Sequence, residues 1–305
     1  MSSLLLLAAI LYVVTREDSL AALLDVWGRT KTAPFLFAVV ILIVLQLGVA
    51  FRLKVIFSAD GVDQVSVWPL FRIQLVSQFA ANGAPISALS DLARAALVKL
   101  RFGLRMGRSI RLVLYDKIFG ALGAIVFGLF AVLFQWLTPI SPGLVKVQMF
   151  IWGAGCVSIA VLVAIADWHI NTSVELIDRI ARATTGLGRL LRRPMITSKL
   201  LLAQSVLLLC FAVAFIALAY GMQIQVSPLL IILFTPLIFF VSALPIFYQG
   251  WGGREAIVVA TIGSVGQVTS AEAIALSVAF GVALFLASLP GAILWVMQPS
   301  MLQRP

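Results

Sequence analysis

The chain has 305 residues, of which 62% are hydrophobic and 11% charged, with a mean hydropathy of +1.11. Soluble domains carry about 25% charged residues, so composition excludes an ordinary soluble fold. The net charge of +10 does not point to nucleic acid, because the basic residues lie between apolar runs and no basic soluble module is present to bind it.

The apolar runs are near the ~20 residues that cross a ~30 Å hydrocarbon core. The expected fold class is therefore all-α, a polytopic membrane helical bundle formed by one multi-pass domain over 1–305. In chain order, 3–15 predict a short first span, since 1–14 lack the basic region and A-x-A site of a cleaved signal. The segment 16–33 is mixed in charge. A span follows at 34–51 and ends at Phe51-Arg52-Leu53-Lys54.

Next come an apolar segment at 65–81, a break at Asn82-Gly83-Ala84-Pro85, and a short helix from Ser87 to Leu100 carrying Asp91 and Arg94. A basic stretch leads into a long span at 110–137, which starts with Tyr115-Asp116-Lys117; Pro139 and Pro142 mark a turn before a span at 148–168. The segment 173–193 opposes Ile177, Ile180, Leu187 and Leu191 to five arginines, and is expected to lie at the headgroups as an amphipathic helix. A solvated connector is the alternative, because Gly186 and Gly188 weaken the helix.

Spans at 197–221 and 228–244 lead to Leu244-Pro245-Ile246-Phe247-Tyr248-Gln249-Gly250-Trp251-Gly252-Gly253-Arg254-Glu255, a break with a proline, three glycines and an Arg-Glu pair. A short helix at 253–266 and a last span at 271–297 complete the chain. Ala271, Ala275, Ala279, Ala283, Ala287 and Gly291 recur four apart as a seam for close helix contact, and Gly120, Ala124 and Gly128 do the same below Asp116.

Residues 34–138 and 196–298 read alike: span, apolar segment, Gly/Pro break, short helix with ionisable residues, long span. Paired broken segments in two halves are a pointer to a transporter site. If each broken segment is a re-entrant hairpin, both termini, 52–64, 94–111 and 171–198 share the cytoplasmic side. Only Arg16, Arg29, Lys31 and Lys146 then lie outside, and the two repeats are inverted.

Bare backbone is not tolerated in hydrocarbon, so each break must be buried or line a wet cavity, and ionisable residues there are candidate site residues. Asp91 and Arg94 share a helix face, which Arg101, Arg105 and Arg108 are expected to continue. Gly252 and Gly253 would open a helix whose N–H groups attract an anion, and Arg254 can chelate phosphate. Asp116 would be neutralised by Lys117 or by a basic residue of 94–111. The alternative is that Asp91-Arg94 and Arg254-Glu255 pair internally and only pin the hairpins. Trp251 and Tyr248 are expected as interfacial anchors more than ligand-stacking rings, and His169, beside Trp168, as an interface residue. Cys156 and Cys210 read as small buried hydrophobes, and with His169 they form no metal-ligand set, so no metal or other cofactor is expected. No HExxH, nucleophile elbow or Asp-rich motif marks an enzyme.

The run Pro245…Gly250-Trp251-Gly252-Gly253-Arg254-Glu255, followed by a span closing in Leu289-Pro290-Gly291, resembles the lysylphosphatidylglycerol synthase transmembrane family, also called flippase-like. So does Asn82…Pro85…Asp91…Arg94 with Asp116-Lys117, although the Gly-rich run usual before the aspartate is here Ile86-Ser87-Ala88-Leu89-Ser90. The resemblance implies a bacterial or archaeal cytoplasmic-membrane protein that handles lipids. Some members move aminoacylated phospholipid between leaflets, and others serve glycolipid or polyprenyl-linked pathways. The sequence to Pro305 contains no soluble synthetase domain, so a stand-alone membrane domain is expected.

The expected function is translocation of an anionic or polar-headgroup lipid, or lipid-linked precursor, between leaflets. Asn82, Asp91, Arg94, Asp116, Lys117, Gly250, Trp251, Gly252, Gly253, Arg254 and Glu255 would contact the substrate. The alternative is a non-transporting scaffold that presents a phospholipid or lipid-linked glycan to a partner glycosyltransferase or lipid synthase.

Overall fold

The computed structural model describes residues 19–62, 65–82, 87–137, 142–167, 186–244, 247 and 250–297. Every regular element among them is helical: α1 Ser19–Gly28, α2 Thr32–Ala59, α3 Val67–Asn82, α4 Ser87–Phe102, α5 Met106–Trp136, α6 Pro142–Asp167, α7 Leu187–Leu191, α8 Pro194–Gly221, α9 Pro228–Ser242, α10 Gly253–Val258 and α11 Ser270–Met297. Five are long and apolar enough to cross a membrane: α2, α5, α6 over Gly143–Ala164, α8 and α11. The expected first span at 3–15, the arginine-rich part of 173–193 before Gly186, Pro85, Pro139, Trp168, His169, Pro245 and Tyr248 lie outside the described residues.

Three boundaries differ from expectation. α2 does not stop near Phe51 but runs unbroken to Ala59, carrying Arg52 inside the bundle at 5% exposure. The charge does not end the helix because a carboxylate from α5 meets it there. α4 ends at Phe102, and Gly103 turns the chain with φ 64°, so Arg105 and Arg108 do not continue the Asp91–Arg94 face. The helix after the second break keeps α geometry only to Val258, then widens into a π turn over Val259–Gly263. Cys156 is exposed on α6 rather than buried, and Cys210 is half-buried.

α2 and α8 make the most extensive helix contact and run antiparallel. Lys31 N–H donates to Gly221 O at 2.9 Å where α2 begins and α8 ends. At the other end Arg193 donates to Ala59 O at 3.4 Å. Gly48 permits the crossing, since a Cβ there would fall 2.6 Å from Leu207. Exchanging α2, α3, α4 and α5 for α8, α9, α10 and α11 maps each principal contact among these helices onto another one. Thus α3 packs on α11 as α9 packs on α5, and α2 on α11 as α8 on α5.

The small-residue seam of α11 is buried at Ala275, Ala279, Ala283, Ala287 and Gly291. Gly291 lies directly on the Leu75 carbonyl, so α3 crosses α11 backbone to backbone. Because lipid tails are as apolar as leucine, such contacts stabilise the bundle by dispersion rather than by removal from water. A packed core at the other end includes Phe215 stacked on Phe280 with centroids 4.1 Å apart. Outward-facing Phe37, Val40, Phe130 and Leu133 are exposed, an apolar exterior that suits hydrocarbon.

Charge divides the two ends. One end gathers Lys54, Lys99, Arg101, Arg105, Arg108, Arg111, Arg189, Arg192, Arg193 and Lys199, with Asp60 held by Arg108 at 2.7 Å and by Arg111 at 3.7 Å. The other carries Asp25, Arg29, Lys31, Lys146 and Glu272, of which Arg29 and Glu272 pair at 3.2 Å. Both outer ends of the α3–α4 pair lie at the basic end: Val67 lines one groove with Ser58 and Arg193, and Phe102 packs on Phe57. The segment from α9 through α10 and the π turn that follows it starts and finishes at the opposite end, in the turns 221–228 and 264–270.

Candidate functional site

A cavity of about 400 Å³ opens between the two halves. α2 contributes Gln46 and Arg52, α3 Gln74 and Gln78, α4 Asp91 and Arg94, and α5 Asp116 and Lys117. The second half supplies Arg254 and an aromatic wall of Phe211, Phe239, Phe240 and Phe280. Asp116 lies ten residues into α5, about 15 Å along its axis from the helix start and five residues beyond Arg111.

Asp116 is the centre of the charge network. Arg52 Nε donates to its Oδ1 at 2.7 Å and Arg94 Nη1 to its Oδ2 at 3.0 Å, so one carboxylate serves two guanidiniums. Arg52 also donates to Gln204 Oε1 on α8. Lys117 does not neutralise Asp116. Its Nζ instead meets Asp91 Oδ2 at 2.5 Å, and Arg94 reaches Asp91 only at 3.8 Å. Three cations thus face two carboxylates, which leaves one positive charge on this wall. Two buried polar atoms of the wall lack a partner among the described residues: the donor Arg94 Nε and the acceptor Gln74 Oε1. An unmet buried group costs about 1–3 kcal/mol, so a ligand with an anionic oxygen and a donor would satisfy both.

The second break is built differently. Arg254 Nη2 donates to Glu255 Oε1 at 3.0 Å and its Nε to Ser277 Oγ at 3.1 Å, while Ser277 donates to the same Oε1 at 2.8 Å. The guanidinium carbon lies 5.0 Å from the Trp251 ring and 5.5 Å from that of Phe280, at cation–π distance. Arg254 reaches the cavity wall with only 1% of its surface exposed. The expected anion site at this helix start is occupied by the chain itself, because Gly252 N–H donates to Glu255 Oε2 at 2.5 Å. Trp251 is no interfacial anchor: it covers Arg254 against Gly281, where a Cβ would fall 2.7 Å from the ring. Gly250 and Gly252 turn with φ 78° and 86°, a left-handed backbone that glycine adopts readily, and Phe247 closes over Gly253. These glycines shape the break and do not line the cavity.

Asn82 also stands off the cavity. Its Nδ2 donates to Ser288 Oγ at 2.8 Å and ties the tip of α3 to α11. Of the eleven candidates, the cavity wall therefore collects Asp91, Arg94, Asp116, Lys117 and Arg254, with Glu255, Trp251 and the glycines behind Arg254. Sequence reasoning missed Arg52, Gln204, Gln46 and Gln74. Arg52 carried a signal, since Val55-Ile56-Phe57 continues the apolar run beyond it and places a charge inside the span. The glutamines carried none, because their partners lie on other helices. Among the described residues no three His, Cys, Asp or Glu side chains converge to hold a metal ion.

Comparison with curated proteins and with solved structures returns no match. A family model for the lysylphosphatidylglycerol synthase TM region matches residues 1–291, which takes in both breaks and every helix except the last six residues of α11. With the charged cavity lying within that match, the chain belongs to the lysylphosphatidylglycerol synthase transmembrane-region family.

Proposed function

We propose that the chain is a lipid translocase, moving a lipid with an anionic or polar headgroup between leaflets through the cavity at Arg94. The observation that carries this reading is the surplus positive charge on the cavity wall inside the helix bundle, together with the unpartnered Arg94 Nε donor. Bringing a headgroup anion into bare hydrocarbon costs on the order of 20 kcal/mol in the idealised Born limit. Arg94, Arg52 and Lys117 would offset that cost while the tails stay in lipid.

The antiparallel α2–α8 contact and the exchange relation between the halves support two inverted repeats. Hairpins whose two ends share a face support re-entrant breaks that enter from opposite sides. The concentration of lysine and arginine at one end supports placing that end in the cytoplasm. Alternating exposure of the cavity would follow from rocking one repeat against the other.

The non-transporting scaffold is favoured by one observation: the Arg254–Glu255–Ser277 lock gives the second hairpin no spare charge to offer a headgroup. Leaflet exchange of fluorescent phosphatidylglycerol in proteoliposomes decides between the readings. Translocation predicts exchange above protein-free vesicles and about a tenfold loss in Arg94→Gln. Exchange equal to empty vesicles, with lipid still bound, selects the scaffold.

A further inference from the structure

A second and larger hollow, about 930 Å³, runs along the outside of the α2–α8 contact and shares no lining residue with the charged cavity. Its inner part is apolar, walled by Val44, Leu47, Leu207 and Cys210. Towards the basic end the same groove is lined by Lys54, Lys199 and Arg193, with the Ser58 hydroxyl among them. Arg193 donates to the Ala59 carbonyl, but neither Lys54 nor Lys199 makes a hydrogen bond or ion pair among the described residues.

The dimensions are those of one leaflet. Ten helical residues separate Val44 from Lys54, about 15 Å, or half of a ~30 Å hydrocarbon core. An apolar channel of that depth, ending in two unpaired ammonium groups at headgroup level, matches an acyl chain with an anionic phosphate above it. We propose that this groove is a resident binding site for one anionic phospholipid of the leaflet at the basic end, with a tail along Gly48 and Leu207 and its phosphate at Lys54 and Lys199. Lone lysines near helix ends also extend towards water without any ligand; here two of them line one apolar groove. The site is independent of the translocation reading, because it is bounded by other residues and faces a single leaflet.

The test is native mass spectrometry of the delipidated full chain, titrated separately with dioleoyl phosphatidylglycerol and dioleoyl phosphatidylcholine. The wild type should hold one phosphatidylglycerol about tenfold more tightly than phosphatidylcholine. Lys54→Gln with Lys199→Gln should weaken phosphatidylglycerol about 30-fold, roughly fivefold or about 1 kcal/mol per lysine, and phosphatidylcholine, which shares the phosphate but carries no net charge, by only about threefold, so that the preference for the anionic lipid is lost. Ala203→Phe, which fills the groove without altering charge, should weaken both lipids, whereas Arg94→Gln should leave this site intact while it slows leaflet exchange. Unchanged phosphatidylglycerol binding in the double lysine variant overturns the proposal. So does a dimer that Ala203→Phe converts to monomer, which would show the groove to be covered by a second copy of the chain.

Discussion

Replacing Asp116 by asparagine keeps shape and volume but removes the one negative charge shared by Arg52 and Arg94. Both guanidiniums would then face a neutral amide inside the bundle, with side chains only 6% and 15% exposed. Breaking a buried pair from one side costs about 3–5 kcal/mol, mostly as the charge left without a partner. Arg94 borders the cavity and can recover water there, so the loss falls mainly on Arg52, and the low end, about 3 kcal/mol, applies. With an unfolding entropy of about 2.1 cal/mol/K per residue, that corresponds to a melting temperature about 5 °C lower for a chain of 305 residues. Thermal unfolding in detergent measures it. Adding Arg52→Gln tests the cause: the double variant should lose clearly less than the sum of the two single losses, because the charge stranded by Asp116→Asn is gone. An Asp116→Asn protein as stable as wild type, or strict additivity in the cycle, would refute a shared buried carboxylate.

Three further outcomes follow from the same geometry. Gly291→Ala should cost about 1–3 kcal/mol because its Cβ would press on the Leu75 carbonyl, whereas Gly153→Ala, with open space around it, should be neutral or stabilising; comparable melting temperatures for the two would contradict the α3–α11 crossing. Gly281→Ala should destabilise to a similar extent, since its Cβ would fall 2.5 Å from Arg254 Nη2, and an undisturbed melting temperature would place Arg254 elsewhere. In a background with Cys156→Ala and Cys210→Ala, Ser58→Cys and Ser264→Cys should react with an impermeant maleimide from opposite sides of the membrane; labelling of both from one side would dismantle the assignment of ends.

The long apolar helices, the two breaks and the small-residue seams were legible in the sequence because each leaves a local mark: an apolar run, a Gly/Pro cluster, a four-residue repeat; α1, in the mixed-charge segment 16–33, was not. Pairing was not. Asp91 and Arg94 are three residues apart and look like partners, yet Arg94 turns to Asp116 and Asp91 to Lys117, because α5 packs against α4 and brings closer charges. Arg52 reads as the end of a span because two basic residues follow the apolar run there; its neutralising partner lies 64 positions further along the chain. The Gly-rich run before Arg254 has the composition of an anion cradle, and only three-dimensional geometry shows Glu255 already seated in it.

The double duty of Asp116 bears on how a guest would be felt by the rest of the molecule. Arg94 is on α4 and Asp116 on α5, so the contact at Oδ2 is also a clasp between the returning arm of the first hairpin and the long helix that follows. A phosphate bound through the free Nε alone would leave that contact in place, whereas one that also reached Nη1 would compete with the oxygen for the guanidinium. To the extent that it succeeds, the clasp slackens while Arg52 keeps its own hold on Oδ1. Occupancy and hairpin freedom would thereby be coupled through the exchange of one acceptor for another, with no message relayed from afar.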